Sequence, residues 1–201
     1  MSITDEYIYW LDLETTGLDP VKDVILELAI VRARFEEPTK PLANYHVVFG
    51  LQGSDPETWH PMVREMHTKS GLLDECLRST KTLYDAESVL DTFVPKPESD
   101  PADPQRHDGK WTLAGACVHF DRDFLVRHIP RIGQRFMNRT LDVSGLKLFC
   151  RTLGMDRLPK AEAHRALDDI AESMAHLVVC RKWLAQPETP YVGWGRVGDR
   201  A

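Results

Sequence analysis

The sequence predicts an α/β protein in which a mixed five-stranded sheet is flanked by helices. Two segments rich in branched apolar residues, 7–13 and 24–35, are separated by a short stretch that contains Gly17 and Pro20. Apolar strands joined by such a short turn favour antiparallel pairing. Farther along the chain, short apolar strands alternate with helical patterns, which is typical of parallel strands. A meander that continues into this alternation gives a mixed sheet, which a stricter definition would class as α+β.

The other elements of the first half follow from local patterns. Residues 45–49 are predicted to form the third strand of the meander, and a helix is predicted around 59–68. A second helix is predicted over 86–94, where apolar residues recur at helical spacing. It should end before Pro95, because proline disfavours helical backbone in the residue that precedes it.

In the second half, strands and helices are predicted to alternate. A strand at 111–116 precedes a helix over 121–135, and a short strand at 140–143 leads into a helix over 144–153, which Gly154 can end. The last helix is predicted over 163–184, with an apolar stripe formed by Leu167, Ile170, Met174, Leu177 and Val178.

We expect a single domain over residues 1–185, since a chain of 201 residues is long enough for one well-buried core. Residues 95–110 contain four prolines and many charges, which predicts a solvated loop. Residues 186–201 lack any periodicity and are predicted to form an irregular tail. The N-terminus has no basic region followed by an apolar segment, and the sequence contains no apolar stretch of membrane-spanning length, so we expect a cytoplasmic protein.

Charge and cysteine content limit the classes of function. The net charge of −6 argues against a protein that coats long nucleic acids, which requires a basic face. It leaves room for a small nucleic-acid substrate, because bound metal can supply positive charge inside an acidic protein. The spacing of the four cysteines fits neither a zinc ribbon nor a disulfide framework, so we expect reduced thiols. They are Cys76, Cys117, Cys150 and Cys180.

The most informative motif is a pair of acids at the end of the first predicted strand. Asp12 and Glu14 are two residues apart, so on a strand both carboxylates point to the same face. Residues 16–20 are rich in turn formers, so the pair lies where the strand leaves the sheet. Two carboxylates this close repel each other unless a positive charge lies between them, and a divalent metal is the obvious candidate.

Two further acids occur in a similar setting. Asp121 follows the strand at 111–116 and lies near the start of a predicted helix, and Asp169 lies in the first turns of the last helix. Each has a plain structural explanation by itself, because acids are favoured near helix N-termini. Their combination with the first pair favours a shared site.

The pattern of these residues resembles the DEDDh class of 3′–5′ exonucleases. Asp12-x-Glu14 is followed by Asp121 in a Phe-Asp-x-x-Phe-Leu setting and then by His164, with Asp169 five residues later. The resemblance covers about residues 7–183, and within the class the chain is most similar to oligoribonucleases. The segments that carry the resemblance are 10–14, 16–20, 67–72, 121–125, 139–144 and 164–170.

The resemblance implies a ribonuclease H-like fold and a two-metal phosphodiester hydrolase. Asp12, Glu14, Asp121 and Asp169 would hold two divalent cations, Mg²⁺ or Mn²⁺, and His164 would take the proton from the attacking water. The substrates would be 3′ ends of short single-stranded RNA or DNA, and the products nucleoside 5′-monophosphates. A homodimer is also implied. The family pattern further implies substrate contacts for Thr15, Leu18, Ser70, and Met62 or the nearby Trp59. For Leu18 the alternative is ordinary packing within the turn.

The spacing of His164 and Asp169 separates their positions. Five residues correspond to roughly 140° around a helix of 3.6 residues per turn, so the two would not share a face if both were helical. We therefore expect His164 on the loop side and Asp169 on the helix. Asp168 is expected to face solvent. Glu27, inside the second strand, is expected either to act as a partner of the site or to lie on the polar face of the hairpin.

Three departures from the oligoribonuclease pattern affect substrate choice. Gly115-Ala116-Cys117 replaces a Gly-Asn-Ser sequence, Met62 stands where a tryptophan is expected, and Asn138 stands where a tyrosine that reaches the partner subunit is expected. The four acids and His164 are intact. The leading hypothesis is an exonuclease that favours RNA. The alternatives are a single-stranded DNA exonuclease of proofreading or repair type, and an inactive domain that only binds nucleic acid.

Overall fold

A single mixed sheet organises the fold. The computed structural model describes residues 7–96, 111–159 and 164–186. Five strands lie in the order β3-β2-β1-β4-β5; the first three pair antiparallel, and β1, β4 and β5 are parallel. The predicted mixed α/β sheet is therefore confirmed. The strands are β1 (Tyr7–Thr15), β2 (Ile25–Arg34), β3 (Pro41–Val48), β4 (Thr112–Gly115) and β5 (Leu141–Asp142).

Seven α-helices lie within the residues that the structure describes, together with a short 3₁₀ helix at Pro56–Thr58. The sequence did not predict α2, which begins directly after Gly71, whose φ is +75°. The helices are α1 (Pro61–Lys69), α2 (Leu72–Arg78), α3 (Leu83–Phe93), α4 (His119–His128), α5 (Pro130–Gly133), α6 (Val143–Thr152) and α7 (Ala166–Leu184).

The two faces of β1 pack against different layers of helices. Tyr9, Leu11 and Leu13 join the main core cluster, to which α3, α4 and α5 contribute. Ile8 and Trp10 point the other way and pack with residues of α7. Because side chains alternate along a strand, the next residues on this second face are Asp12 and Glu14. The alternation thus places the acid pair on the side of the sheet that α7 covers.

One predicted helix is wrong as a single element. The segment predicted as a helix over 121–135 forms α4 and α5, separated at Ile129, where φ is −133° and ψ is 64°. The next residue is Pro130, whose ring disfavours helical backbone in the preceding residue and whose nitrogen has no hydrogen to donate.

Two other helices begin at residues different from those predicted. The helix predicted from residue 86 begins at Leu83, where Thr82 and Asp85 form a reciprocal capping box. The helix predicted from residue 163 begins at Ala166, and Leu167, expected in its apolar stripe, is 37% exposed. Most of the predicted loop and nearly all of the predicted tail, residues 97–110 and 187–201, lie outside the described residues.

Two expectations about the chain as a whole concern membranes and thiols. None of the helices in the described part of the chain is long and apolar enough to cross a membrane. All four cysteines lie in that part and are free thiols, and three of them are buried. The fourth, Cys117, is exposed, with a positive φ of 54° at the end of β4.

Candidate active site

Three carboxylates meet at the C-terminal end of β1. Oxygen atoms of Asp12, Glu14 and Asp169 all lie within 4.8 Å of one another. Asp12 lies opposite Ala29 of β2, and the pairing with β2 becomes irregular directly after Glu14. The site therefore opens where the β1–β2 ladder ends and the turn begins, which is where the sequence predicted it.

Asp169 reaches this cluster because the first turns of α7 pack against β1. Ala166, Ile170 and Met174 of α7 lie in the same apolar cluster as Ile8 and Trp10. Asp169 is in the first turn of the helix, where the positive end of the helix dipole favours an acid. Asp168 is exposed, as expected for a solvent-facing neighbour.

Asp121 is joined to the same strand from the other helical layer. It lies in the first turn of α4, and its Oδ1 accepts a hydrogen bond from the backbone N–H of Leu13, at 2.9 Å. Leu13 lies between Asp12 and Glu14, so this bond fixes Asp121 beside the acid pair. The four predicted acids thus come from β1, α4 and α7.

The electrostatics of this cluster favour a bound cation. Burial raises the pKa of Asp121 to about 7, although the Leu13 N–H counteracts part of that effect. Burial also raises the pKa of Asp12 well above its usual range, and the negative charges of Asp121, Asp169, Glu14 and Glu27 add to the shift. Carboxylate oxygens are hard ligands, and buried carboxylates that repel one another are stabilised by a divalent ion. The donor set therefore fits a hard divalent cation.

His164 lies outside α7, as its spacing from Asp169 predicted. Its φ of 46° is in the left-handed region, and Arg165 follows as the extended N-cap residue of α7. The pKa of His67 is lowered mainly by burial, and His164 is close enough to contribute to that shift.

His67 is a buried residue of the site for which no individual role was predicted from the sequence. Its Nε2 donates to the backbone oxygen of Thr15, at 2.9 Å, and its Nδ1 lies 3.9 Å from Oε2 of Glu14. The ring packs edge-on against Trp59 with centroids 6.0 Å apart. These contacts join α1 to the end of β1. The sequence indicated only that His67 belongs to the 67–72 segment, since its contact with Thr15 spans 52 residues.

The structure decides between the two expectations for Glu27. Its side chain is almost fully buried, and it accepts hydrogen bonds from Arg165 and from the backbone N–H of Ala166, at 3.1 Å. His46 of β3 also lies 2.6 Å away. Glu27 is therefore a partner of the segment that carries His164, rather than a solvent-facing residue of the hairpin.

The residues predicted to contact substrate divide into two kinds. Leu18 and Met62 are large apolar side chains that are 76% and 72% exposed. Thr15 and Ser70 are engaged locally, since the Thr15 hydroxyl donates to Gly17 O at 2.6 Å and the Ser70 hydroxyl to His67 O at 3.4 Å. The exposed pair is thus free of protein packing over most of its surface, whereas the hydroxyls are held by backbone oxygens.

The positions that depart from the oligoribonuclease pattern also have defined surroundings. The backbone N–H of Cys117 donates to Oδ1 of Asp142, at 3.1 Å. Asn138 accepts a hydrogen bond from the guanidinium of Arg122, at 2.6 Å. Both residues are exposed.

Comparison with known proteins agrees with this arrangement. The family model described as Exonuclease (RNase_T) matches residues 9–177. An oligoribonuclease of Colwellia psychrerythraea is 34% identical over 187 residues, which are 90% of this chain and 97% of that protein. The mitochondrial oligoribonuclease of Mus musculus is 34% identical over 185 residues, which are 90% of this chain and 74% of that protein.

Solved structures share the fold. The zinc-bound complex of E. coli exonuclease I with single-stranded DNA has a TM-score of 0.63 at 13% identity and covers 89% of this chain. Exonuclease I of Methylocaldum szegediense has a TM-score of 0.62 at 16% identity and covers 91% of this chain. In both cases only 41% of the other chain is matched, so this chain spans less than half the length of those enzymes.

The family model and the curated relatives each cover most of the chain. The model includes all four acids of the site and His164, and the relatives align over nine-tenths of the chain. The chain therefore belongs to the exonuclease family that includes the oligoribonucleases.

Proposed function

We propose that this protein is a metal-dependent 3′–5′ exonuclease that hydrolyses short single-stranded oligonucleotides, RNA in preference to DNA, to nucleoside 5′-monophosphates. The observation that carries the proposal is the meeting of Asp12, Glu14 and Asp169 within 4.8 Å at the end of β1. These carboxylates lie within residues 9–177, which the exonuclease family model matches, and several curated relatives are oligoribonucleases.

The four acids are assigned to two divalent cations, Mg²⁺ or Mn²⁺. Asp12, Glu14 and Asp169 supply the clustered oxygens, and Asp121 adds a carboxylate fixed by the Leu13 N–H. Two such cations, when bound, stabilise negative charge on the attacking and leaving oxygens of a phosphodiester. The raised pKa of Asp121, caused mainly by burial, supports this assignment, because a bound cation would remove the cost of ionising this group.

His164 is assigned to proton transfer from the attacking water. Imidazole is the side chain most often used for general base catalysis near neutral pH. The position of His164 outside α7 supports this role, because the imidazole is not confined to the helix face that carries Asp169. In this assignment the carboxylates bind the metal ions, and His164 accepts the proton of the attacking water.

Leu18 and Met62 are assigned to the terminal base of the substrate. Single-stranded nucleic acids bind through stacking and apolar contact with base faces, and both side chains are exposed. Thr15 and Ser70 are assigned weaker substrate contacts, since their hydroxyls already donate to backbone oxygens. A homodimer is proposed from the family pattern alone.

A digestion experiment tests the proposal. RNA and DNA oligomers of two to about 20 nucleotides, labelled at the 5′ end, are incubated with Mg²⁺, Mn²⁺ or a chelator, and the products are resolved by length. We expect metal-dependent shortening from the 3′ end, fastest for short RNA. If neither RNA nor DNA is digested in a metal-dependent way, the proposal of an enzyme is refuted, and the alternative of a domain that only binds nucleic acid remains.

The same experiment addresses the single-stranded DNA alternative. Replacement of a Gly-Asn-Ser sequence by Gly115-Ala116-Cys117 removes an amide that can bond substrate, which favours keeping this alternative in the design. Faster digestion of long DNA than of RNA dimers would replace the RNA preference by a DNA preference and leave the metal chemistry unchanged.

A further inference from the structure

The residue after His164 is held by two carboxylates from different elements. The Arg165 guanidinium lies between Glu27 of β2 and Glu75 of α2. Its Nε and Nη2 donate to Glu27, at 3.1 and 3.0 Å, and its Nη1 and Nη2 donate to Glu75, at 2.8 and 3.0 Å. A planar guanidinium that makes paired bonds to two carboxylates has little rotational freedom.

Glu27 is the buried end of this arrangement. Burial by itself would raise the pKa of Glu27, but hydrogen bonds from His46, Arg165 and the Ala166 N–H lower it below its ordinary value. A buried carboxylate that stays ionised needs such partners, because an unpaired charge in the interior is costly. Glu27 therefore binds two consecutive residues of the chain, Arg165 by its side chain and Ala166 by its backbone.

His164 directly precedes this anchored pair and has a strained backbone. Its φ of 46° is one that residues with a Cβ adopt only when the surroundings enforce it. The anchoring of Arg165 and Ala166 fixes the chain on the C-terminal side of His164. The extended Arg165 backbone then directs the chain from His164 into α7.

We propose that Arg165, held by Glu27 and Glu75, is a positioning residue that sets the backbone conformation of His164 and so directs its imidazole towards the reacting atoms. The proposal rests on the function proposed above, in which His164 transfers the proton. Arg165 itself touches neither substrate nor metal in this assignment. Its effect on turnover passes entirely through His164.

A purely structural role would act differently. Glu27 also binds the first residue of α7, so loss of the anchor would then displace Asp169 and weaken metal binding. If Arg165 instead positions His164, its loss should lower the rate and leave metal affinity unchanged. Measuring the rate and the metal affinity in the same variants therefore distinguishes the two roles.

A double-mutant cycle tests the proposal on full-length protein with a short RNA under single-turnover conditions. We expect Arg165→Gln to lower the rate about 10- to 100-fold, as for a misplaced catalytic group, with KM and Mn²⁺ affinity little changed. In a His164→Ala background the same substitution should change the rate less than about twofold, since the group through which it acts is gone. An equal loss in both backgrounds, or a loss that follows Mn²⁺ affinity, would overturn the proposal.

Glu75→Gln provides a gentler variant if Arg165→Gln fails to fold. The Glu75 side chain is 41% exposed, so its change leaves buried Glu27 paired with Arg165. We expect a smaller rate loss with the same dependence on His164. Arg165→Lys, which keeps the charge but cannot bond both carboxylates in the same plane, should recover part of the rate. If Arg165→Lys recovers none of the rate, and the rate loss in Glu75→Gln is the same with and without His164, the positioning role of Arg165 is contradicted.

A matched control and a readout without turnover complete the test. Arg131 also lies between two carboxylates, Glu87 at 3.8 Å and Asp91 at 3.5 Å, at the α3–α5 contact, and Arg131→Gln should leave the rate unchanged. In metal-free protein, the imidazole NMR signals of His164, assigned by their loss in His164→Ala, should move in Arg165→Gln and stay in Arg131→Gln. If the wild-type protein digests RNA but the His164 signals do not move in Arg165→Gln, the positioning role of Arg165 is refuted and the proposed function stands. If the wild-type protein digests no substrate, the proposed function itself is refuted.

Discussion

At the scale of single residues, two carboxyl groups of the site, those of Asp12 and Asp121, resist ionisation. Burial is the largest cause of the raised pKa of Asp12, and the charges of neighbouring acids add to it. Asp12 and Asp121 therefore bind a proton more readily than they would in water, and a bound divalent cation would favour their ionised forms. Ionisation of these two groups destabilises the metal-free protein, and both are assigned to hold metal.

Asp12→Asn is the direct test at this scale. The substitution keeps the size of the side chain but removes an anionic ligand, so we expect turnover to fall by more than about 100-fold, beyond the effect of losing an outer partner of a metal ligand. Because it also relieves repulsion, the melting temperature of the metal-free protein should rise. Activity is measured with labelled RNA and stability by thermal unfolding in a chelator.

The control for this substitution is Asp168→Asn, which changes an exposed acid in the same turn of α7 as Asp169. It should alter neither quantity appreciably. Wild-type activity in Asp12→Asn would contradict the metal assignment.

At the scale of elements, close packing between helices depends on small residues at particular contacts. Gly133 ends α5 where it meets α4, and a Cβ added there would lie 2.6 Å from Cα of Val126. Backbone atoms cannot move aside as a flexible side chain can. A Cβ added at Gly145 of α6 meets nothing within 4 Å.

Substitution of alanine for these two glycines should therefore change the free energy of unfolding differently. Gly133→Ala should lower the free energy of unfolding by about 1–3 kcal/mol, because the α4–α5 contact must open. Gly145→Ala should leave it unchanged or raise it by up to about 1 kcal/mol, through the higher helix propensity of alanine. Urea unfolding measures both. Equal changes in the two variants would contradict this account of the contact.

At the scale of the whole molecule, the site joins three elements that are far apart in sequence, so its charge affects global stability. For Asp121, the ordinary pKa is 3.8 and the folded value is about 7. A group whose pKa rises on folding contributes stability that is complete below the unfolded value and is lost as the pH rises through the folded value. The metal-free protein should therefore become less stable across this interval.

The expected result is a melting temperature that falls in chelator as the pH rises from about 5 to about 8, and a much smaller fall with saturating Mn²⁺. Asp121→Asn should reduce the slope in chelator. This comparison also isolates Asp121 from His67, whose pKa is lowered chiefly by burial and whose effect on stability has the opposite sign. If Asp121→Asn does not change how steeply the melting temperature falls with pH in chelator, the pH dependence does not arise from Asp121.

Much of the architecture could be predicted because it is encoded locally. The apolar run of β1, the turn at Gly17 and Pro20, and the helical spacing of apolar residues are each patterns of a few residues, so the mixed sheet could be predicted from them. Pro130 also indicates the break between α4 and α5, but a single helix was predicted there because the helical spacing of apolar residues continues across the proline.

The sequence by itself determined the antiparallel pairing of the first strands, the acid pair on one face of β1 and the separation of His164 from α7, since each depends on backbone period and local sterics. Only the tertiary structure decided that His67 lies against the end of β1 and that Glu27 binds Arg165. Those contacts span 52 and 138 residues, and such pairs are selected by packing and by the cost of an unpaired buried charge, which no local pattern records.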